Sequence, residues 1–156
     1  MRVVVIGAGF AGLSAAKSLS RMPVGLTIID QRNHHLFQPL LYQVATAGLS
    51  PADIATPIRG LFSGRRNVRV LLGQVTGIDT RAREVLLDNK RVPYDTLVVA
   101  TGARHAYFGH DDWEPFAPGL KQIKDATSIR RLLLITFEHA EAEEDADERR
   151  RLLTLP

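Results

Sequence analysis

One stretch constrains this 156-residue chain more than any other: Val3-Val4-Val5-Ile6 runs straight into Gly7-Ala8-Gly9-Phe10-Ala11-Gly12. The valines and isoleucine make a near-continuous apolar, β-branched run, the pattern of a strand buried on both faces of a parallel sheet. Leu13 to Leu19 follows with helical spacing and high helix propensity, and a second strand, Leu26-Thr27-Ile28-Ile29, ends in Asp30. Strand, glycine turn, helix, strand and acid, in that order, define a βαβ unit that takes a dinucleotide. Gly7 permits the tight turn, Gly9 lets backbone approach a pyrophosphate, and Gly12 lets helix pack on sheet. The first-turn N–H groups and the positive end of the helix dipole then face the phosphates. Asp30 is placed to accept hydrogen bonds from a ribose diol, and its charge repels a 2′-phosphate, which disfavours NADP. The unit alone leaves FAD and NAD equally open.

Length and composition exclude several classes. A chain of this size is one domain with a substantial core, and 45% apolar with 24% charged residues is the balance of a globular protein. No apolar run approaches the ~20 residues of a membrane span, and a strand begins directly after Met1 with no leader pattern, so a cytoplasmic location is expected. Cysteine is absent, which removes disulfide scaffolds, thiolate metal sites and redox dithiols. The net charge of +3 is uneven, basic to about residue 137 and acidic beyond it. The basic residues are scattered without aromatic interleaving, so no nucleic-acid partner is expected. His34 and His35 are adjacent, and no further ligand stands at metal spacing, so no metal site is expected.

After Asp30, residues 31–51 leave the carboxyl end of a strand, where α/β folds bind ligands, and read as a ligand-facing loop. Ser50-Pro51-Ala52-Asp53 signals a short helix with Ser50 as N-cap, and Pro57 interrupts it and restarts a turn. Val68 to Leu72 is a third strand. From about 73 to 93, short extended pieces alternate with turns, which predicts an inserted antiparallel meander; a plain NAD-dependent dehydrogenase half would place a helix there. Thr96 to Ala100 is a buried strand ending at Thr101-Gly102. Gly and Pro mark 103–119 as a surface connection. A C-terminal helical segment, about 125–153, buries Ile129, Leu132, Leu133, Phe137 and Ala140 on one face and ends in a short helix closing on Arg149-Arg150-Arg151. The expected fold class is α/β: a Rossmann-like parallel sheet with a βαβ dinucleotide-binding unit and an inserted antiparallel β-meander, residues 1–156 forming one domain.

Three further stretches extend the fingerprint: His35 to Ala47 with Gly48-Leu49-Ser50-Pro51, Tyr94 to Gly102, and Arg149 to Thr154. With Val3 to Leu19 they resemble the N-terminal part of the type II NADH dehydrogenases, single-subunit NADH:quinone oxidoreductases that carry FAD. The resemblance implies that Gly7, Gly9, Ala11 and Gly12 hold the FAD pyrophosphate and Asp30 the adenosine ribose. It places Arg32 and Asn33 near the adenine end, Val75 against adenine through its backbone, and Gln43 at the edge of the isoalloxazine. Ala100, Thr101 and Gly102 close the site. No catalytic side chain is implied, because the flavin performs the chemistry.

The resemblance covers the whole chain but only about the first third of the family's length. A second glycine fingerprint, for NADH, follows the position of Thr154 in the family, where this sequence has Leu155-Pro156. The expectation is therefore an incomplete FAD-binding domain that does not turn over alone. Family members are peripheral on the cytoplasmic face of the membrane, with NADH and quinone as substrates. A ferredoxin or rubredoxin reductase-like FAD domain is the runner-up but lacks the His35 to Ala47 pattern. Missing thiols count against disulfide reductases and sulfide:quinone reductases. A non-catalytic dinucleotide-binding or interaction module is the alternative from another class. Without a further strand beside it, Thr96 to Ala100 is expected to be an apolar sheet edge that self-associates.

Overall fold

The structure, a computed structural model, describes residues 1–154. Leu155 and Pro156 lie outside the described residues. The elements are β1 (Arg2–Ile6), α1 (Phe10–Leu19), β2 (Gly25–Asp30), β3 (His34–Leu36), α2 (Leu41–Ala45), β4 (Ala55–Pro57), α3 (Ile58–Leu61), β5 (Val68–Leu72), β6 (Val75–Asp79), β7 (Glu84–Leu87), β8 (Lys90–Pro93), β9 (Thr96–Val99), α4 (Ile123–Ala142) and α5 (Ala146–Leu152). Two compact units emerge: Met1–Leu36 with Ala55–Ala103, and Phe37–Ile54 with the described part of Arg104–Pro156.

The first unit is built on a parallel sheet in the order β5-β2-β1-β9. Val3 to Ile6 of β1 pair with Leu26 to Ile29 on one side and Thr96 to Val99 on the other. Both faces of β1 are covered, which is why its sequence shows no alternation. Val3 and Val5 join a core with Leu13 and Ala16 of α1, Ile58 of α3 and Phe62. Val4 and Ile6 join a second core with Val85 and Val92 of the meander and Tyr94. The meander is thus the second layer on the sheet, three antiparallel strands in the order β6-β7-β8. Asn67 fastens the turn between α1 and β2, its Nδ2 donating to the carbonyls of Ser20 (3.3 Å), Met22 (3.3 Å) and Val24 (3.1 Å).

The segment expected as a loop over 31–51 is more ordered than its sequence suggests. His34–Leu36 pairs antiparallel with Ala55–Pro57, two strands too short for any periodicity to announce them. Ser50 caps as predicted, accepting from the Ala52 N–H while its own N–H donates to Asp53. The element it opens, Pro51–Asp53, is a single 3₁₀ turn.

In the second unit α2 packs on α4. Leu41, Val44 and Ala45 are buried on α2, and Ala126 and Ala140 on α4. The face predicted for α4 is corrected here: Leu132 and Phe137 are 63% and 54% exposed. Ile129, Leu133 and Ala140 hold as predicted, Ile129 and Leu133 half-buried and Ala140 buried, and Ala126 joins them. Among the described residues no helix is long and apolar enough to cross a membrane.

Candidate functional site

The glycine turn lies where β1 ends and α1 begins, at the carboxyl edge of the parallel sheet. Gly7 has φ +94°, a left-handed conformation that strains any side chain, and its N–H donates to the Ile29 carbonyl at 2.8 Å. A Cβ added at Gly7 would be driven into the carbonyl oxygen of Ala100, and one at Gly12 into the carbonyl oxygen of Gly7. These two glycines are therefore required by contact within the protein. At Gly9 an added Cβ meets nothing within 4 Å. The three glycines divide accordingly: two close the turn, and the middle one borders open space.

That open side is where the sequence pattern expects a pyrophosphate. Gly9 is the N-cap of α1 and has no side chain with which to cap the first turn, and a helix N-terminus is where backbone N–H groups bind anions. No acidic side chain stands in the first turn of α1 itself. Ala11 lies in the turn and is exposed.

Asp30 stands at the end of β2, beside the turn. Its Oδ2 accepts the Ala8 N–H at 2.6 Å and its Oδ1 accepts the Arg32 N–H at 2.8 Å. The expected ribose acceptor thus also braces the turn, a role that the strand–acid spacing gave no sign of. Arg32 follows with its Nε buried and without a hydrogen-bond partner. The Asn33 carbonyl accepts the Ile58 N–H at 3.0 Å, and its Oδ1 meets His34 Nδ1 at 3.0 Å. Val75 opens β6 two residues beyond Gly73, whose N–H donates to the Asp30 carbonyl at 2.9 Å. The Ala100 N–H continues the ladder to the Ile6 carbonyl at 2.8 Å. Thr101 is exposed, and Gly102 has φ +73° with open space around it. The fold thus gathers most of the predicted residues at one sheet edge. Gln43 belongs to the other unit, on α2, where its Nε2 donates to the Tyr42 hydroxyl at 2.8 Å.

One contact here was missed in the sequence. His35, weighed there as a metal ligand and as the start of the His35 to Ala47 stretch, places Nδ1 2.9 Å from the Ala8 carbonyl oxygen, and the Phe10 ring meets its imidazole edge-on at 5.2 Å. A perturbed acid lies at the other end of the sheet. There the Arg2 guanidinium and backbone N–H bind Asp95 at 2.8 and 2.6 Å and lower its carboxyl from 3.8 to about 2.

Known proteins are similar to this chain in sequence and in fold. The family profile described as pyridine nucleotide-disulphide oxidoreductase matches residues 1–138. The type II NADH:quinone oxidoreductase NdhA of Mycobacterium tuberculosis is 52% identical over 98% of this chain and 33% of its own length. The chain spans about a third of the length of the curated relatives it matches. Among solved structures, an NDH2 from Plasmodium falciparum in complex with NADH superposes with a TM-score of 0.82 at 23% identity, over 95% of this chain and 31% of that one. The sulfide:quinone oxidoreductase of Aquifex aeolicus gives 0.80 at 28%, over 88% and 32%.

Proposed function

The chain belongs to the pyridine nucleotide-disulphide oxidoreductase family, and from that membership we propose that its 156 residues are the FAD-binding part of a type II NADH:quinone oxidoreductase. The observation that carries the reading is the turn itself: two glycines locked by contact, a third bordering open space, and an uncapped helix start. The similarity to NdhA over 98% of the chain favours this family over the ferredoxin and rubredoxin reductases.

In this reading residues 1–156 serve as one FAD-binding domain. Gly7, Gly9, Ala11 and Gly12 hold the pyrophosphate. Asp30 keeps lone pairs for the adenosine ribose while bracing the turn, Arg32 and Asn33 flank the adenine end, and the Val75 backbone meets adenine. Ala100, Thr101 and Gly102 close the edge, and Gln43 borders the isoalloxazine. FAD, when bound, supplies the hydride chemistry from NADH to quinone. The protein's part is to bind and orient it and to exclude NADP-like phosphorylated ribose through Asp30. The enzyme so described is peripheral on the cytoplasmic face of the membrane. The β9 edge pairs with a second copy when no other strand covers it.

A reductant beside the flavin needs a second nucleotide site, and the sequence in hand carries one glycine fingerprint. The purified 156-residue chain is therefore expected to retain or take up FAD, seen by flavin absorbance, without oxidising NADH in the presence of a soluble quinone. Failure to take up added FAD would favour the non-catalytic module, and robust turnover would refute the assignment as an FAD-binding part alone.

A further inference from the structure

The residue between the first two glycines, Ala8, is 2% exposed and is held at both polar ends by side chains from elsewhere in the first unit. Its N–H donates to Asp30 Oδ2 at 2.6 Å. Its carbonyl oxygen lies 2.9 Å from Nδ1 of His35, in β3. A carbonyl can only accept, so His35 must carry its proton on Nδ1 and donate it. The Phe10 ring packs edge-on against the imidazole, 5.2 Å between centroids and 85° between planes.

The consequence follows from peptide planarity. In a trans peptide the carbonyl of one residue and the N–H of the next point in opposite directions. Fixing the Ala8 carbonyl on His35 therefore fixes the Gly9 N–H to face the opposite side. Gly9 is the glycine around which an added Cβ finds no atom within 4 Å, and among the described residues its N–H donates to no acceptor, so that N–H is left for an acceptor from outside. Were the peptide plane free to rotate, its carbonyl oxygen could swing toward the phosphates and repel them.

We propose that His35 is a positioning residue for the FAD pyrophosphate: as the Nδ1–H tautomer it clamps the Ala8 carbonyl and so holds the Gly9 N–H toward the phosphate oxygens. The proposal rests on the FAD reading of the site, although the clamp itself is a property of the protein without cofactor. It also gives a physical task to one residue of the His35 to Ala47 stretch that was otherwise recognised only as a pattern.

Two measurements test it separately. In the cofactor-free wild-type chain, ¹⁵N NMR of the imidazoles, with the His35 signals assigned by their loss in His35→Asn, is expected to show His35 protonated on Nδ1; protonation on Nε2 alone overturns the clamp. In FAD titrations followed by flavin fluorescence, His35→Ala is expected to weaken binding about tenfold, the effect of one lost hydrogen bond. His35→Asn, whose amide nitrogen can take the place of Nδ1, is expected to restore most of the affinity. Equal FAD affinity in wild type and His35→Ala overturns the positioning role, as does an Asn variant no better than Ala. Should His35→Ala fail to fold, the Asn variant decides: wild-type-like affinity supports the role, and loss of affinity with a native melting temperature overturns it. A folded wild type with the Nδ1–H tautomer that takes up no FAD overturns the FAD reading while leaving the clamp standing.

Discussion

At Gly9 and Gly12 the same substitution, to alanine, has opposite consequences. Gly12→Ala would press a methyl carbon into the Gly7 carbonyl, and because the obstacle is backbone it cannot swing aside. A loss of about 3 kcal/mol or more is expected in chemical denaturation. Gly9→Ala meets no atom and has φ −68°, so stability is expected to stay within about 0.5 kcal/mol while FAD binding is lost from the titration. Asp30→Asn is a third residue-scale test. Its two carboxylate oxygens accept the N–H groups of Ala8 and Arg32, and an amide must oppose one of those donors with its own. A cost of about 1–3 kcal/mol is expected in the cofactor-free protein, a loss that a purely ribose-binding role would not produce. The glycines and Asp30 were legible in the sequence because each spacing has a known physical use. The Asp30 and His35 contacts with Ala8 were not, since the partners stand 22 and 27 residues apart and no periodicity links them.

At the scale of elements, the start of β1 is tied to the residue before β9 by Arg2 and Asp95. The carboxyl is lowered to about 2 in the folded protein, chiefly by the side-chain hydrogen bond from Arg2. A depressed acid stabilises the fold above its ordinary value of 3.8 and loses that contribution as pH falls toward 2. Asp95→Asn is therefore expected to flatten this part of the acid-unfolding curve and leave the neutral and alkaline region unchanged in shape. In α4 the sequence pattern placed Ile129, Leu133 and Ala140 correctly and misplaced Leu132 and Phe137, because apolar residues occur on more than one side of the helix. Leu132, Leu134, Ile135 and Phe137 are all exposed, and packing with α2 selects which line is buried. Phe137→Ser is expected to alter stability by no more than about 0.5 kcal/mol, whereas Ala140→Leu, at a position 3% exposed, should cost about 1–3 kcal/mol by overpacking. For β9, paired in its sheet only with β1 among the described residues, concentration-dependent association is expected in size-exclusion chromatography. Val99→Lys, at a 59% exposed edge position, should reduce it.

For the molecule as a whole, a ligand that binds only the folded state stabilises it by mass action. FAD at a hundredfold excess over its dissociation constant is expected to add about 2.7 kcal/mol and to raise the melting temperature by several degrees; no shift would contradict specific binding. The sequence by itself determined the βαβ unit, the meander and the four strands β1, β2, β5 and β9 of a parallel sheet, but not the order β5-β2-β1-β9 in which they lie. Those features arise from local propensity and from β1 being buried on both faces, and both leave their mark on consecutive residues. The tertiary structure alone decided which glycines are locked by the Ala100 and Gly7 carbonyls, which face of α4 is buried, and that Asp30 and His35 hold Ala8 from both ends. These depend on which distant segments meet, and a hydrogen bond between such segments imposes no spacing on the sequence between them.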